Sequence, residues 1–318
     1  LQDARVEALA QDASFRRYLR VRTSGDRFVV MDAPPPMENV EPFIRVDEHL
    51  CNLGFRAPRI LHRDVANGFL LLEDLGDRTF TRVLGDHGRE ESLYRAAVDT
   101  LVALHDHGQA CAIEVPPYDL EALLDEAALL ADWYYPLVTG DALDHASRSA
   151  YLDAWSAVFG TLPPPELTLV LRDFHVDNLM LVGGEYACGL LDFQDALIGP
   201  VAYDLASLLQ DARRDIEPAF EAAWLEHYFC RRPLVDRENF MAWYHALAAE
   251  RHAKVLGIFS RLCTRDGKCD YLRHLPRVGR MLDRSCAALP SLEPVRRWMD
   301  QCLPRRHATT KTLVERTL

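Results

Sequence analysis

The chain has 318 residues, 49% of them hydrophobic and 26% charged, with a formal net charge of −12. That balance fits a folded globular protein and excludes a disordered or collagen-like one. No apolar run reaches the ~18–20 residues of a membrane span, and so acidic a chain is a poor match for nucleic acid, whose phosphates need a basic footprint. The length is about twice that of an average domain and predicts two domains.

The first ten residues carry Asp3, Arg5 and Glu7 and no apolar core, which predicts no secretory signal. The chain begins with Leu1 rather than methionine, which leaves room for a short leader already removed. Phe15–Val21 and Phe28–Met31 are strand candidates around the turn Thr23-Ser24-Gly25-Asp26, and Pro34-Pro35-Pro36 stops the second. Asn39–Leu53 fits a helix, with Phe43, Val46, Leu50 and Leu53 at helical spacing and Gly54 just beyond. Arg59–Leu61 and Gly68–Leu72 read as a hairpin across Asn67-Gly68. Glu73 to Asp77 is polar and reads as a hinge. Helical spacing then dominates: Glu91–Gly108, Leu120–Tyr135, Ala142–Phe159, Val201–Arg213, Pro218–Phe229 and Asn239–Leu262. Two short apolar segments, Leu167–Leu171 and Cys188–Phe193, interrupt the helices, and the polar tail from Pro304 is expected to fray. The layout predicts an α+β, two-lobed fold. A β-rich lobe spans residues 1–72, a hinge 73–77, a helical lobe 78–303 and a flexible tail 304–318, with a cleft between the lobes.

Charge follows this division unevenly. Residues 1–76 carry 10 basic and 12 acidic groups, residues 77–230 carry 8 and 27, and residues 231–318 carry 18 and 9. Within the middle block, Ala96–Leu171 holds 12 acids and a single base, Arg148. These acids could line a pocket for a cationic substrate, but most fall on polar helix faces, which favours solvated surface. The eight cysteines show no CxxC and no metal spacing, so they are expected to be buried, reduced thiols of a cytoplasmic protein.

The stretch Leu171-Arg172-Asp173-Phe174-His175-Val176-Asp177-Asn178 carries the chemistry, with Asp192-Phe193-Gln194-Asp195 following. A hydroxyl is a weak nucleophile and needs a carboxylate to orient it and take its proton. Nucleotide phosphates need Mg²⁺, which prefers hard oxygen ligands. An Asp with an Asn five residues on supplies a base (Asp173) and a ligand (Asn178) from one loop. Asp192 supplies the second ligand, brought near by a hairpin turning at Gly183-Gly184. The pattern parallels the kinase H-R-D-x-x-x-x-N loop and D-F-G segment, with Leu171 in place of His and Gln194 in place of Gly. Gln194 suggests a metal-binding segment less free to flip. His62-Arg63-Asp64 is a decoy: Asn67 lies only three residues on, and the triplet falls in the expected hairpin.

With these motifs the chain resembles the aminoglycoside phosphotransferase-like kinases. Asp192-Phe193-Gln194-Asp195-Ala196, Gly199-Pro200 and Tyr203-Asp204-Leu205-Ala206-Ser207 add to the likeness. Within that family it is most similar to the bacterial anomeric kinases of the cell-wall sugars N-acetylmuramate and N-acetylglucosamine. That likeness rests on Asp12-Ala13-Ser14-Phe15-Arg16-Arg17-Tyr18, Met31-Asp32-Ala33-Pro34-Pro35, Leu71-Leu72-Glu73-Asp74-Leu75-Gly76-Asp77 and Arg251-His252-Ala253-Lys254 to Arg265-Asp266-Gly267-Lys268. The resemblance implies a protein-kinase-like fold, ATP as co-substrate, Mg²⁺, and transfer to the anomeric hydroxyl. No obligatory protein partner is expected.

The resemblance implies further roles. Ser14 would cap the ATP phosphates, Glu73 and Leu75 would flank the adenine hinge, and Asp204 would support the catalytic loop. The usual small-lobe lysine is missing, since residues 1–253 hold no Lys, and Met31 stands at its position. Arg16, Arg17, Arg20 and Arg45 are candidates to neutralise phosphate in its stead, and Glu48 is the candidate helix glutamate. Arg251 and Lys254 could meet a substrate carboxylate or could simply balance the acidic middle block. Trp133-Tyr134-Tyr135 could stack on a sugar but fits core better. Two other functions remain open here: a phosphotransferase for an aminoglycoside or choline-like amine, and a nucleotide-binding regulator with little catalysis.

Overall fold

Alternation of apolar side chains builds the sheet, and three-to-four spacing builds the helices around it. The computed structural model describes residues 4–9, 15–85, 89–183, 188–304 and 306. In chain order the elements are β1 (Arg5–Ala8), β2 (Arg17–Arg22), β3 (Arg27–Asp32), α1 (Glu41–Asn52), β4 (Ile60–Asp64), β5 (Phe69–Glu73), α2 (Phe80–Leu84), α3 (Glu90–Asp106), α4 (Leu120–Leu129), α5 (Tyr135–Thr139), α6 (His145–Thr161), β6 (Leu167–Val170), β7 (Leu179–Leu181), β8 (Cys188–Leu190), β9 (Leu197–Pro200), α7 (Tyr203–Leu209), α8 (Pro218–Arg231), α9 (Arg237–Thr264), α10 (Leu275–Ala288) and α11 (Glu293–Cys302). They form two compact units, one of residues 1–115 with 171–197 and one of 116–170 with 198–318.

The first unit holds a five-stranded sheet of order β1-β2-β3-β5-β4 with antiparallel pairings. Val29 and Met31 of β3 and Leu70 and Leu72 of β5 are buried at alternate positions. β1 was not legible in the sequence, because all four of its residues are exposed and show no alternation. α1 buries Phe43, Ile44, Val46 and Leu50 and ends where Gly54 takes a φ of +88°. The β4–β5 hairpin turns at Gly68, where φ is +75° and a Cβ would lie 2.0 Å from the Ala33 carbonyl oxygen. Only glycine tolerates both conditions. The hairpin of β7 and β8 pairs Leu179 with Leu190 and Leu181 with Cys188.

The second unit is built on α9, a helix of 28 residues buried over much of its circumference. Its buried positions include Glu250, Arg251, His252 and Lys254 as well as apolar side chains. A Cβ at Gly257 would lie 2.3 Å from the Leu129 carbonyl group, so α4 and α9 approach backbone to backbone there. Directly after Leu129 the chain makes a π-helical turn, Leu130–Tyr134, which splits the single helix expected over 120–135. α7 is shorter than the 201–213 expected. Gln210 leaves the helix, and its side chain joins a buried set of Glu221 (2.7 Å), His252 (2.9 Å) and Ser285 (3.2 Å). β9, α2, α10 and α11 had no counterpart in the sequence reading.

Several of the acids of 96–171 serve local structure. Asp119 and Asp144 cap α4 and α6, and Asp132 pairs with Arg148 at 2.7 Å. Tyr134 is buried and donates its hydroxyl to the Arg306 carbonyl oxygen, as core packing requires. Arg306 is anchored by Asp283 and Asp300, so fraying does not begin at this residue, while 305 and 307–318 lie outside the described residues.

Cysteine usage needs correction. Cys263 and Cys269 form a disulfide, made possible where Gly267 reverses the chain with a φ of +69°. Cys111 and Cys230 are exposed. Cys188 and Cys286 are buried free thiols as expected, each pushed up to about 12 chiefly by burial.

Candidate active site

The segment after β6 cannot be regular helix or strand, because Arg172 takes a φ of +67°. Asp192, at the end of the β7–β8 hairpin, takes +58°. Left-handed backbone is costly for a residue with a Cβ, and such strain persists where surrounding bonds over-determine it. Those bonds are present. The Asp173 N–H donates to the Leu171 carbonyl (2.8 Å) and the His175 N–H to the Asp173 carbonyl (3.0 Å). The Leu191 N–H donates to the Asn178 carbonyl (3.0 Å). Asn178 closes the arrangement: its Nδ2 donates to the Asp173 carbonyl at 3.1 Å and to Asp192 Oδ2 at 3.2 Å. The three residues expected to share a site are therefore joined through one amide group. All three are half-buried, so their side chains remain reachable. Gln194 is buried and donates to Asp192 Oδ1 (2.9 Å) and Asp195 Oδ2 (3.1 Å), holding the segment as its identity suggested.

Asn178 and Asp192 line a cavity of about 330 Å³ within the first unit. Its remaining walls include Arg16, just before β2, Tyr18 and Arg20 of β2, Val29, Leu72, Glu73 to Asp77, and Asp177. A residue profile of the Phosphotransferase enzyme family matches residues 5–244, a span that contains this whole cavity. The chain belongs to that family. It is 39% identical to an N-acetylmuramate/N-acetylglucosamine kinase of Pseudomonas aeruginosa over 289 residues, covering 89% of this chain and 84% of the relative. It is 37% identical to a protein of the same name from Neisseria meningitidis over 300 residues, covering 90% and 87%. Among solved structures, a Plasmodium vivax ethanolamine kinase aligns with a TM-score of 0.64 at 13% identity, covering 92% of this chain and 84% of that one, which speaks to the fold alone.

The cavity is reached by some expected residues and not by others. Glu73 and Leu75 line it. Arg56 grips the Glu73 carboxylate at 2.7 and 2.5 Å and Arg59 adds a bond at 3.1 Å, which holds its pKa down at about 2. Met31 lies on the same side of β3 as Val29, opposite Tyr18, but none of its surface is exposed. Ser14 lies outside the described residues. Asp204 is buried in α7, in the second unit. Arg251 and Lys254 are also in the second unit, buried within α9. Lys254 donates to Glu126 (2.8 Å) and to the Tyr203 hydroxyl (3.4 Å), and Arg251 lies 5.8 Å from the Tyr203 ring. These two cations are thus inside a core rather than on an open surface. The decoy triplet is an exposed hairpin end, where Asp64 accepts from the Asn67 N–H and side chain. Glu48 pairs with Arg63 at the surface.

Sequence reasoning missed the part of Arg20. It is buried, binds Asp74 and Asp77, and donates to the Gly76 carbonyl at 2.8 Å, tying the 74–77 segment to β2. The signal was present in the pairing of an inward strand arginine with two hinge acids, but only the sheet register brings them together.

Asn178 and Asp192 carry oxygen atoms of the kind that Mg²⁺ prefers. Asn178 turns its amide nitrogen toward Asp173 and Asp192, so its oxygen is the atom left for a cation beside the Asp192 carboxylate. Among the described residues no group of three or more His, Cys, Asp and Glu side chains is placed to hold a metal. Two protein ligands still suit Mg²⁺, which keeps waters and takes phosphate oxygens alongside one or two carboxylates.

Proposed function

We propose that the chain is an ATP-dependent kinase that phosphorylates the anomeric hydroxyl of N-acetylmuramate and N-acetylglucosamine. The observation that carries the reading is the joining of Asp173, Asn178 and Asp192 through the Asn178 amide, in a chain 33–39% identical to kinases named for these two sugars. In this reading residues 1–72 form the nucleotide lobe, 73–77 the hinge and 78–303 the catalytic and acceptor lobe. The protein acts in the cytoplasm. No helix among the described residues is long and apolar enough to cross a membrane.

Asp173 accepts a hydrogen bond from the anomeric hydroxyl and takes its proton as the oxygen bonds to the γ-phosphorus. The bond from that phosphorus to the β–γ bridging oxygen breaks, and ADP leaves. An anomeric hydroxyl is more acidic than other sugar hydroxyls, so a modest carboxylate base suffices. Asn178 and Asp192 would hold Mg²⁺, which supplies charge neutralisation at the transferring phosphate. Glu73 to Leu75 border the base, and a Ser14 cap over the phosphates belongs to the same proposal. Asp204 keeps a supporting role rather than a reacting one.

Four of the acids once open to a cationic acceptor are committed elsewhere: Asp119 and Asp144 cap helices, and Asp132 and Glu126 pair with Arg148 and Lys254, so the amine-kinase reading gains nothing from these four. The test is ADP release from Mg²⁺-ATP with N-acetylmuramate, N-acetylglucosamine, glucose, choline and kanamycin, followed by phosphorus NMR of the product. A sugar 1-phosphate from the N-acetylated sugars is expected. Transfer only to an amine-bearing acceptor, or to a hydroxyl away from the anomeric carbon, overturns the assignment.

A further inference from the structure

We propose that the second unit carries a phosphate-binding site on the arginine face of α10, centred on Arg280. Its ligand is a tetrahedral dianion, either inorganic phosphate or the head group of a phosphomonoester. Asp173, Asn178 and Asp192 belong to the first unit, and the site holds whether or not the chain is a sugar kinase.

The pattern of α10 sets up the site. Val278, Leu282 and Cys286 are buried and fix which side of the helix meets the core. Arg277, Arg280 and Arg284 recur at intervals of three and four, which brings them together on another face. All three line a cavity of about 160 Å³. Its other wall is the segment that follows α7, where the helix ends at Gln210 and the chain runs on through Arg214 and Asp215. Pockets that enclose a drug-sized ligand measure ~300–1,000 Å³, so this one suits a head group rather than a whole nucleotide.

Charge in the cavity is unbalanced. Four guanidinium groups line it against one carboxylate, Asp215. Arg277 takes that carboxylate with both ends of its fork, at 2.8 and 2.7 Å. Arg284 donates to Glu221 at 2.8 Å, and Glu221 also accepts from Gln210 and Tyr244. Arg280 is exposed and makes no hydrogen bond or ion pair with any described residue. It is nevertheless in the same field. The Asp215 carboxyl is held below its ordinary value, first by the Arg277 hydrogen bonds, and the Arg280 charge adds to the lowering. The ring of His274, with Nδ1 3.2 Å from Arg277, is held down at about 4, first by burial and next by Arg273, Arg277 and Arg213. It is therefore neutral near pH 7 and supplies neither charge nor compensation. A dianion bridging Arg280 and its helix neighbours relieves this crowding, and phosphate oxygens match the planar arginine fork.

The test titrates the full chain with inorganic phosphate and, separately, with N-acetylglucosamine 1-phosphate by calorimetry in phosphate-free buffer. Saturable binding of either supports the site, and the tighter of the two identifies the source of the dianion. Arg280→Ala should weaken binding at least fivefold, and Arg280→Lys should keep most of it. Asp215→Asn should tighten binding, because it removes the cavity's own anion and releases Arg277, whereas a purely structural ion pair would give no gain. Asn178→Ala, in the first unit, should bind phosphate as wild type does. Wild-type chain with no saturable binding of either probe overturns the proposal. So does an Arg280→Ala variant that binds within twofold of wild type, or loss of phosphate binding in Asn178→Ala. Arg280 has no bond to lose, so its variants should fold, and Arg280→Gln repeats the comparison should Arg280→Ala not.

Discussion

Two clusters in this protein share a composition and differ in everything else. Each combines a cation, a carboxylate and a tyrosine: Arg16, Glu38 and Tyr18 in the first unit, Lys254, Glu126 and Tyr203 in the second. The first borders a cavity that also exposes Asn178 and Asp192, and the backbone beside it is strained at Arg172 and Asp192. The second is sealed. Tyr203 is wholly buried, Tyr118 packs edge-on against it with ring centroids 5.0 Å apart, and the Tyr118 hydroxyl donates to Glu126. Burial raises both phenols, Tyr118 well above its ordinary value. Satisfied, sealed charge fixes a fold, whereas charge facing open space beside strained backbone is available for chemistry.

The comparison breaks most sharply at Asp173. Asp173→Ala should lower kcat by about 10²–10⁴, the usual worth of a positioned general base. ATP affinity and thermal stability should stay near wild type. Turnover within tenfold of wild type would remove Asp173 as the base. Lys254→Ala should do the reverse. It takes away the cation that neutralises Glu126, and breaking a buried pair costs about 3–5 kcal/mol. Urea denaturation should show that loss, with ATP affinity unchanged. A variant of normal stability with a raised KM for N-acetylmuramate would instead return Lys254 to acceptor binding.

A smaller effect tests how the sealed region is packed. Gly257→Ala places a Cβ 2.3 Å from the Leu129 carbonyl, and the neighbour is backbone, which cannot swing aside. Overpacking typically costs about 1–3 kcal/mol. A shift at the upper end of that range is expected in denaturant. An unchanged midpoint would mean that the α4–α9 approach relaxes freely.

The legibility of these two regions from sequence differed for a physical reason. Asp173, Asn178 and Asp192 were readable because chemistry fixes residue type and spacing along one short segment. The pairing of β7 with β8 was readable from the two short apolar runs, while the turn expected at Gly183-Gly184 falls partly outside the described residues. The burial of Lys254 was not readable, because spacing along a helix does not say which face is buried when nearly every face is. Gln210 ended α7 early through contacts to Glu221, His252 and Ser285, partners 11 to 75 residues away in sequence. The Cys263–Cys269 bond was missed because a reversal at Gly267, not a spacing motif, brings the two together. Of the four arginines named from the sequence, Arg16 and Arg20 line the cavity and Arg17 and Arg45 do not, a division that depends on sheet register rather than spacing.

The sealed region should also contribute to acid sensitivity. His252 sits in α9 with its Nε2 2.9 Å from Gln210 Oε1, and it is held down at about 3, first by burial and then by Arg251 and Arg284. The unfolded chain protonates this ring near its ordinary value of 6.5. Between pH 6.5 and 3 the unfolded state therefore binds a proton that the folded state refuses, and stability falls as pH falls through that window. One such group contributes at most about 1.4 kcal/mol per pH unit. His252→Gln removes the linked proton and can keep a donor toward Gln210. Its stability relative to wild type should therefore improve steadily from pH 7 to pH 5 in urea titrations, while other acid-sensitive groups cancel in the difference. A difference that stays constant over that range would mean that His252 takes its proton inside the folded helical unit, and that the region is less tightly sealed than its burial indicates.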